Sequence, residues 1–314
     1  MMSMKQFLTG LFLSAVFCLP AVAAPLSSNA RTVVPSAIQQ IISIDYRALR
    51  DSPSARALQD HVLPDNLKQF ETALKSAGID PDKDMEQLTF VSYRPAKGGL
   101  RSVGIAQGSF KQKEFLQKMR LKKIKPEKYL LSYIYPMGTG MHLVFLDPST
   151  ILFGESASIK GAIDVRDNSA ESLESNNTIA DLITSVDSSP IWSVLDQLGT
   201  QNMLRSALGQ AGSLTDYDAV KKRLLASDYS MSFTNGVSFD LSVKTSDTMT
   251  AATMATLLKA GVLYRKMNAT PTEKLALDNT TVDNSHDMLQ MHFKADDQRF
   301  TALLNSDLFA AVSK

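Results

Sequence analysis

The sequence predicts an α+β fold of two similar halves, each made of antiparallel hairpins with helices packed on one face. Three observations carry this expectation. Short β-branched runs recur between turn signals, as hairpins require. Apolar residues at helical spacing separate those runs. One order of elements (strand, helices, hairpin, helix, hairpin, helix) is met twice, with equivalent landmarks roughly 135 to 150 residues apart, the mark of a candidate internal duplication rather than a short-period solenoid.

In the first half, residues 37–166, the run Ile41-Ile42-Ser43-Ile44-Asp45-Tyr46 has the length and β-branched content of a buried strand. A helix is expected from Pro53 with Ser52 as its N-cap. A second is expected from Pro64, with Leu67, Phe70, Leu74 and Ala77 along one face and Gly78 as its C-cap. A hairpin then pairs Leu88 to Tyr93 with Ser102 to Gln107 around Lys97-Gly98-Gly99. Phe110 to Met119 reads as a short amphipathic helix with Phe110, Phe115 and Met119 inward. Tyr129 to Tyr135 is expected as one strand, followed by a Met137-Gly138-Thr139-Gly140 turn, strand Met141 to Leu146, an Asp147-Pro148-Ser149 turn, strand Thr150 to Phe153 and helix Ala157 to Val165.

Residues 167–177 are rich in Ser, Asn and Glu and mark a linker. The second half, 178–314, opens with strand Ile191 to Leu195 ending in Asp196, as the first strand ends in Asp45. Helical segments are expected at Gln201 to Ala211 and Tyr217 to Ala226. A hairpin follows, Tyr229 to Thr234 with Val237 to Val243, turned on Asn235-Gly236, the strongest short-range hairpin signal in the chain. Helix Thr248 to Met267, a hairpin of Leu277 to Thr281 with Met288 to Lys294, and helix Asp296 to Leu308 complete the repeat.

Composition narrows the function classes. With 44% hydrophobic and 21% charged residues, the 314-residue chain matches neither a disordered nor a membrane-embedded protein, and a net charge of +1 argues against a nucleic-acid partner. Lys5, the apolar run Phe7 to Leu19 and Ala21-Val22-Ala23 have the layout of a secretory signal peptide, residues 1–23, cleaved near Ala23. The expected location is therefore periplasmic or secreted, with a flexible segment 24–36 at the new N-terminus and no transmembrane segment in the mature chain. Cys18, the single cysteine, follows Phe17 where a lipoprotein signal has a small residue, and it leaves with the signal. Thiol catalysis and disulfide stapling are excluded for the mature chain.

Few residues suggest chemistry. From Lys111 to Lys128 the chain carries eight Lys or Arg against two Glu, a net +6, with Lys111, Lys118, Arg120, Lys122, Lys123, Lys125 and Lys128 as candidate contacts to an anionic partner. A solvated helix face, or pairing with the acidic segment Asp164 to Asp187, would account for the same charges. Gly154-Glu155-Ser156-Ala157-Ser158 lacks the second glycine of a nucleophile elbow, and Ser156 is better read as a helix cap. Asp80, Asp82 and Asp84 alternate as calcium ligands do, without the Gly and Glu of an EF-hand loop. His61, His142, His286 and His292 have no metal-binding spacing, although His286 and His292 lie near Asp283 and Asp287. Trp192, the one tryptophan, is expected to anchor the second core. No cofactor and no metal site is assigned.

Gly78-Ile79-Asp80-Pro81 with Asp84, Gly108-Ser109-Phe110, and Phe145-Leu146-Asp147-Pro148-Ser149-Thr150-Ile151-Leu152-Phe153-Gly154 running into Ile159 to Asp164 resemble a group of exported bacterial envelope proteins of unassigned function. The resemblance implies an α+β, signal-bearing envelope protein and brings no catalytic residues with it. The expected function is an exported, non-catalytic binding or interaction module. The alternatives are a carrier that holds an apolar ligand among residues such as Met141, Val144 and Leu146, and a serine hydrolase built on Ser156.

Overall fold

A computed structural model describes residues 25–62, 71, 72, 74–76, 78–138, 140–208 and 217–306. The expected signal peptide, most of the helix expected from Pro64, and the ends of those expected to reach Ala211 and Leu308 lie outside these residues. The first half supplies strands β1 (Ile38–Asp45), β2 (Met85–Tyr93), β3 (Arg101–Gly108), β4 (Glu127–Tyr129), β5 (Ser132–Gly138), β6 (Met141–Asp147) and β7 (Thr150–Gly154). The second supplies β8 (Ile191–Leu195), β9 (Leu224–Ser232), β10 (Val237–Thr245), β11 (Thr280–Ser285) and β12 (Met288–Ala295). All join one antiparallel sheet in the order β11-β12-β10-β9-β8-β1-β2-β3-β7-β6-β5-β4.

Outward from β1 the order is β2-β3-β7-β6, and outward from β8 it is β9-β10-β12-β11. The halves thus repeat one strand order about the β1–β8 pair, where Ile41 lies opposite Val194 and Ile44 opposite Ile191. β1 ends in an aspartate and β8 is followed by one, and each starts a helix. Asp45 accepts from the amides of Arg47 and Ala48, and Asp196 accepts from that of Gly199.

The helices are α1 (Ser28–Arg31), α2 (Tyr46–Asp51), α3 (Pro53–Val62), α4 (Pro81–Asp84), α5 (Gln112–Leu121), α6 (Ser156–Arg166), α7 (Asn177–Val186), α8 (Gln197–Leu208), α9 (Tyr217–Val220), α10 (Thr248–Asn268), α11 (Pro271–Asp278) and α12 (Asp297–Leu304). One face of the sheet packs α1, α6 and α7 onto Ile41, Val91, Val103, Val144, Leu152, Trp192 and Val194. The other packs α5 onto Leu88, Ala106, Leu143 and Ile151, α10 onto Leu241, Val243 and Leu289, and α3 with α12 onto Ile191 and Val237.

Helices on one face describe β10 to β12, whose other face carries Ser238, Asp240, Gln290, His292 and Lys294. They do not describe the first half, because strands such as β2 and β7 bury side chains on both faces, Leu88 and Val91, Ile151 and Leu152, and both faces need cover. Trp192 anchors the core shared by the two halves, not one belonging to the second. The segment 24–36, expected to be flexible, carries α1 within its described residues 25–36, and Leu26, Ala30, Val33 and Val34 at helical spacing are buried. The linker docks on them through Leu173 N to Val34 O at 2.8 Å and Ser36 N to Glu171 O at 3.0 Å.

Local outcomes follow residue chemistry. Asn235 and Gly236 both take positive φ, 58° and 99°, as a tight hairpin demands. Gly78 ends its helix in the left-handed region, with Ile79 N bonded to Leu74 O and Gly78 N to Lys75 O. The expected strand Tyr129 to Tyr135 is instead a hairpin, β4 and β5, turned at Leu130-Leu131. Leu224 starts β9, so the helix expected to reach Ala226 stops at Val220. Helix α11 takes Leu277 from the expected hairpin, capped by reciprocal bonds between Thr270 and Glu273 with Pro271 at its first turn.

Two predictions test this packing. Gly104 lies opposite Phe153, whose ring occupies the space a side chain would need, 2.0 Å from a Cβ at that position. Gly104→Ala should therefore destabilise by about 1 to 3 kcal/mol in denaturant titrations, and Phe153→Leu made together with it should recover part of the loss. Asp228, buried in β9 between Val194 and Ser242, has its carboxyl pushed up by burial to about 6. The folded protein holds that proton more tightly than the unfolded chain, so this contribution is present at low pH and lost as pH rises through about 6. Asp228→Asn should gain on the order of 2 kcal/mol at pH 7 and flatten the stability profile between about pH 4 and 6.

Candidate functional site

Helix α5 forms because Phe115 and Met119 fall one turn apart and both are buried. Phe115 meets Tyr135 and Phe145 edge-on, at ring-centroid distances of 5.5 and 5.1 Å. With that side given to the core, Lys111, Lys113, Lys118 and Arg120 are exposed, the Lys118 side chain lying along Gly78. The helix ends with Ile124 N bonded to Met119 O at 3.0 Å and Lys123 N to Arg120 O at 2.9 Å, Lys123 taking φ 57° where glycine is usual. This turn returns Ile124 to the core and leaves Lys122, Lys123 and Lys125 exposed. The two cations of the last turn, Lys118 and Arg120, also complement the partial negative charge of the helix end.

The chain then enters the sheet edge. In β4, Glu127 and Tyr129 turn toward α6: Glu127 accepts from Lys160 and Ser156, and the Tyr129 hydroxyl donates to Asp164 at 2.7 Å. Lys128 alternates to the α5 side, directly opposite Tyr133 of β5. Burial pushes the Tyr135 hydroxyl up, and the nearby Arg120 opposes that shift. Leu130 sits in the turn at φ 48°, a conformation that costs a non-glycine residue on the order of 1 kcal/mol.

All eight basic residues from Lys111 to Lys128 are exposed, and among the described residues none of them makes an ion pair. Lys122 Nζ reaches only the Ser76 carbonyl, at 3.3 Å. Pairing with the acidic segment does not occur, because α6 and the residues after it pack on the opposite face of the sheet. Asp167 pairs with Arg166 and Asp187 with Arg31, both at 2.8 Å, and Asp164 takes the Tyr129 hydroxyl.

The other candidates do not assemble. Ser156 is the first residue of α6, not its cap; the N-cap is Glu155, which makes no side-chain cap bond. The Ser156 hydroxyl donates to Glu127 at 3.3 Å, while the His142 ring bonds the Gly140 carbonyl at 3.1 Å. Lys160 holds the Glu127 carboxyl below its usual range, which makes it a poor base for a serine nucleophile. Asp80 caps α4 by accepting from Asp82 N at 3.2 Å and pairs with Lys83 at 3.1 Å. Asp84 accepts from Asp80 N, and Asp82 pairs with Lys75. His286 occupies the β11–β12 turn, whereas His292 pairs with Asp240 at 2.7 Å farther along β12; the His61 side chain lies outside the described residues.

Met141, Val144 and Leu146 do not line a common cavity. Val144 and Leu146 belong to the core around Trp192, and Met141 packs on the other face. A cleft of about 310 Å³ lies elsewhere, between α11, α12 and β12, lined by Thr272, Leu275, Ala276, Phe293, Ala295 and Leu303. Among the described residues no group of three His, Cys, Asp or Glu could hold a metal ion, and no helix is long and apolar enough to cross a membrane.

No described protein family matches the chain, and no curated protein matches it. Three crystal forms of a protein named TP0453 are similar in chain course. Forms I and III reach a TM-score of 0.47 at 12% and 10% identity, covering 92% and 90% of this chain and 98% and 97% of that one; form IV reaches 0.46 at 10% identity, covering 91% and 98%.

Proposed function

We propose that this chain is an exported, non-catalytic binding module of the bacterial envelope that docks on an anionic partner through Lys111, Lys118, Arg120, Lys122, Lys123, Lys125 and Lys128. The observation that carries the reading is the state of these cations. They are exposed, lie along α5 from its N-cap to its C-terminal turn and on the adjoining sheet edge, and have no acidic partner among the described residues. Charges left in this state raise the local concentration of a polyanion and speed its encounter, an effect that weakens as salt shortens the screening length. Export is supported by Lys5, the apolar run to Leu19 and the Ala21-Val22-Ala23 site. The non-catalytic part is supported by the placement of Ser156, whose hydroxyl donates to Glu127, a carboxylate that Lys160 holds low.

Retention on heparin-agarose, used as a generic polyanion, tests the reading with two variants of equal net charge. Lys118→Glu with Lys122→Glu and Lys125→Glu should elute at far lower salt than the parent. Lys97→Glu with Lys274→Glu and Lys294→Glu, exposed lysines elsewhere, should elute close to it. Equal losses in the two variants would mean that only net charge matters and would remove the site.

A further inference from the structure

The basic edge carries a second feature that a soluble polyanion leaves unused. Leu131 is 88% exposed and Leu130 48% exposed, together forming the two-residue turn between β4 and β5. Tight turns are ordinarily made by Gly, Asn, Asp or Pro, each for a conformational reason that leucine lacks. Leu130 is held at positive φ although its side chain packs into no part of the core. Leu121, 75% exposed at the end of α5, and Tyr133, 53% exposed in β5, add two more apolar bodies beside the same cations.

The order along the chain is what matters. Leu121 is followed by Lys122, Lys123 and Lys125, then Lys128, then Leu130 and Leu131, then Tyr133. An apolar tip that follows a run of exposed cations, with a tyrosine set back from it, matches the layers of a bilayer surface: acyl chains at the tip, headgroups and anionic charge behind it. Three carboxylates of β4 and α6 and its C-cap are already engaged. Glu127 is held by Lys160, Asp164 by the Tyr129 hydroxyl and Asp167 by Arg166.

We infer that the anionic partner is a lipid bilayer and that the β4–β5 hairpin is the element that enters it, Leu130 and Leu131 passing the headgroups while Lys122, Lys123, Lys125 and Lys128 meet the anionic lipid. This deepens the proposed docking function and rests on it. The occupant follows from the combination, since charge alone would suit any polyanion, whereas charge with exposed leucines suits a surface that offers both phosphate and hydrocarbon. Entry by a hairpin tip is shallow and peripheral and needs no membrane-spanning segment.

The test is flotation with vesicles, using protein purified from a bacterial periplasm. Vesicles of equal parts phosphatidylglycerol and phosphatidylcholine should bind it, and phosphatidylcholine alone should bind it weakly or not at all. Leu130→Asn with Leu131→Ser removes the apolar tip while easing the turn, since asparagine tolerates the left-handed region. That variant should lose about a hundredfold in vesicle affinity and keep its heparin retention. The Lys118, Lys122 and Lys125 charge-reversal variant should lose both. If the parent is retained on heparin but binds no vesicles, the lipid inference falls and the docking function stands. If it binds neither, both fall. If the leucine variant binds vesicles as the parent does, the hairpin does not enter the bilayer and the inference is overturned.

Discussion

The antiparallel pairing of β1 with β8 joins the strands of the first half to those of the second in one sheet. Each strand is the innermost of its half, and apart from the other each would be an open sheet edge with strongly apolar flanks. Ile41 against Val194 and Ile44 against Ile191 bring together segments far apart in sequence, and Trp192 is buried opposite Ser43 beside the seam. Arg94, reaching from the end of β2, pairs with Asp196 at 2.7 Å and bonds Gln39, so the helix-capping aspartate of one half is tied to the strand of the other. The core that holds α1, α6 and α7 spans this seam, which is why the N-terminal segment and the linker are ordered parts of it and not spacers.

Closing the sheet at its centre moves its two open edges to the far ends, β11 and β4. The two are protected differently. β11 is polar along its length, Thr280 to Ser285, with one buried valine. β4 has three residues, follows Pro126 and includes Lys128, the ordinary means of discouraging a further strand. Edge protection accounts for Lys128 and the proline. It does not account for the six cations from Lys111 to Lys123, which lie on α5 and its cap rather than on the edge, nor for leucines in the turn. Those are the features that ask for a partner.

Much of the architecture was legible because local chemistry and tertiary packing agree. Asn235-Gly236, Ser52 before Pro53, Gly78, and the β-branched runs of β1 and β8 each do locally what the fold needs. The β4–β5 hairpin was not legible, since Leu130-Leu131 has no turn signal and Tyr129 to Tyr135 has the composition of one strand. Helix α11 was readable from Thr270-Pro271-Thr272-Glu273, but the stronger β pattern after it drew Leu277 into a strand. The joining of both halves in one sheet has no local signal, because a strand buried on both faces reads alike whatever its neighbours. For the site, the cations were visible in the sequence. Their lack of internal partners was not, because it depends on which face of the sheet carries the acidic segment.

Entry of the hairpin into lipid is tested most directly by replacing Leu131 with tryptophan and following its fluorescence as phosphatidylglycerol vesicles carrying brominated acyl chains are added. Trp192 is buried in the shared core and should contribute a constant background. The expected result is a blue shift of the added tryptophan with strong quenching by bromine, as burial in the upper acyl region requires. An unshifted, unquenched emission from protein that is bound to the vesicles would contradict it, showing that the hairpin stays in water and that the basic edge meets its partner by charge alone.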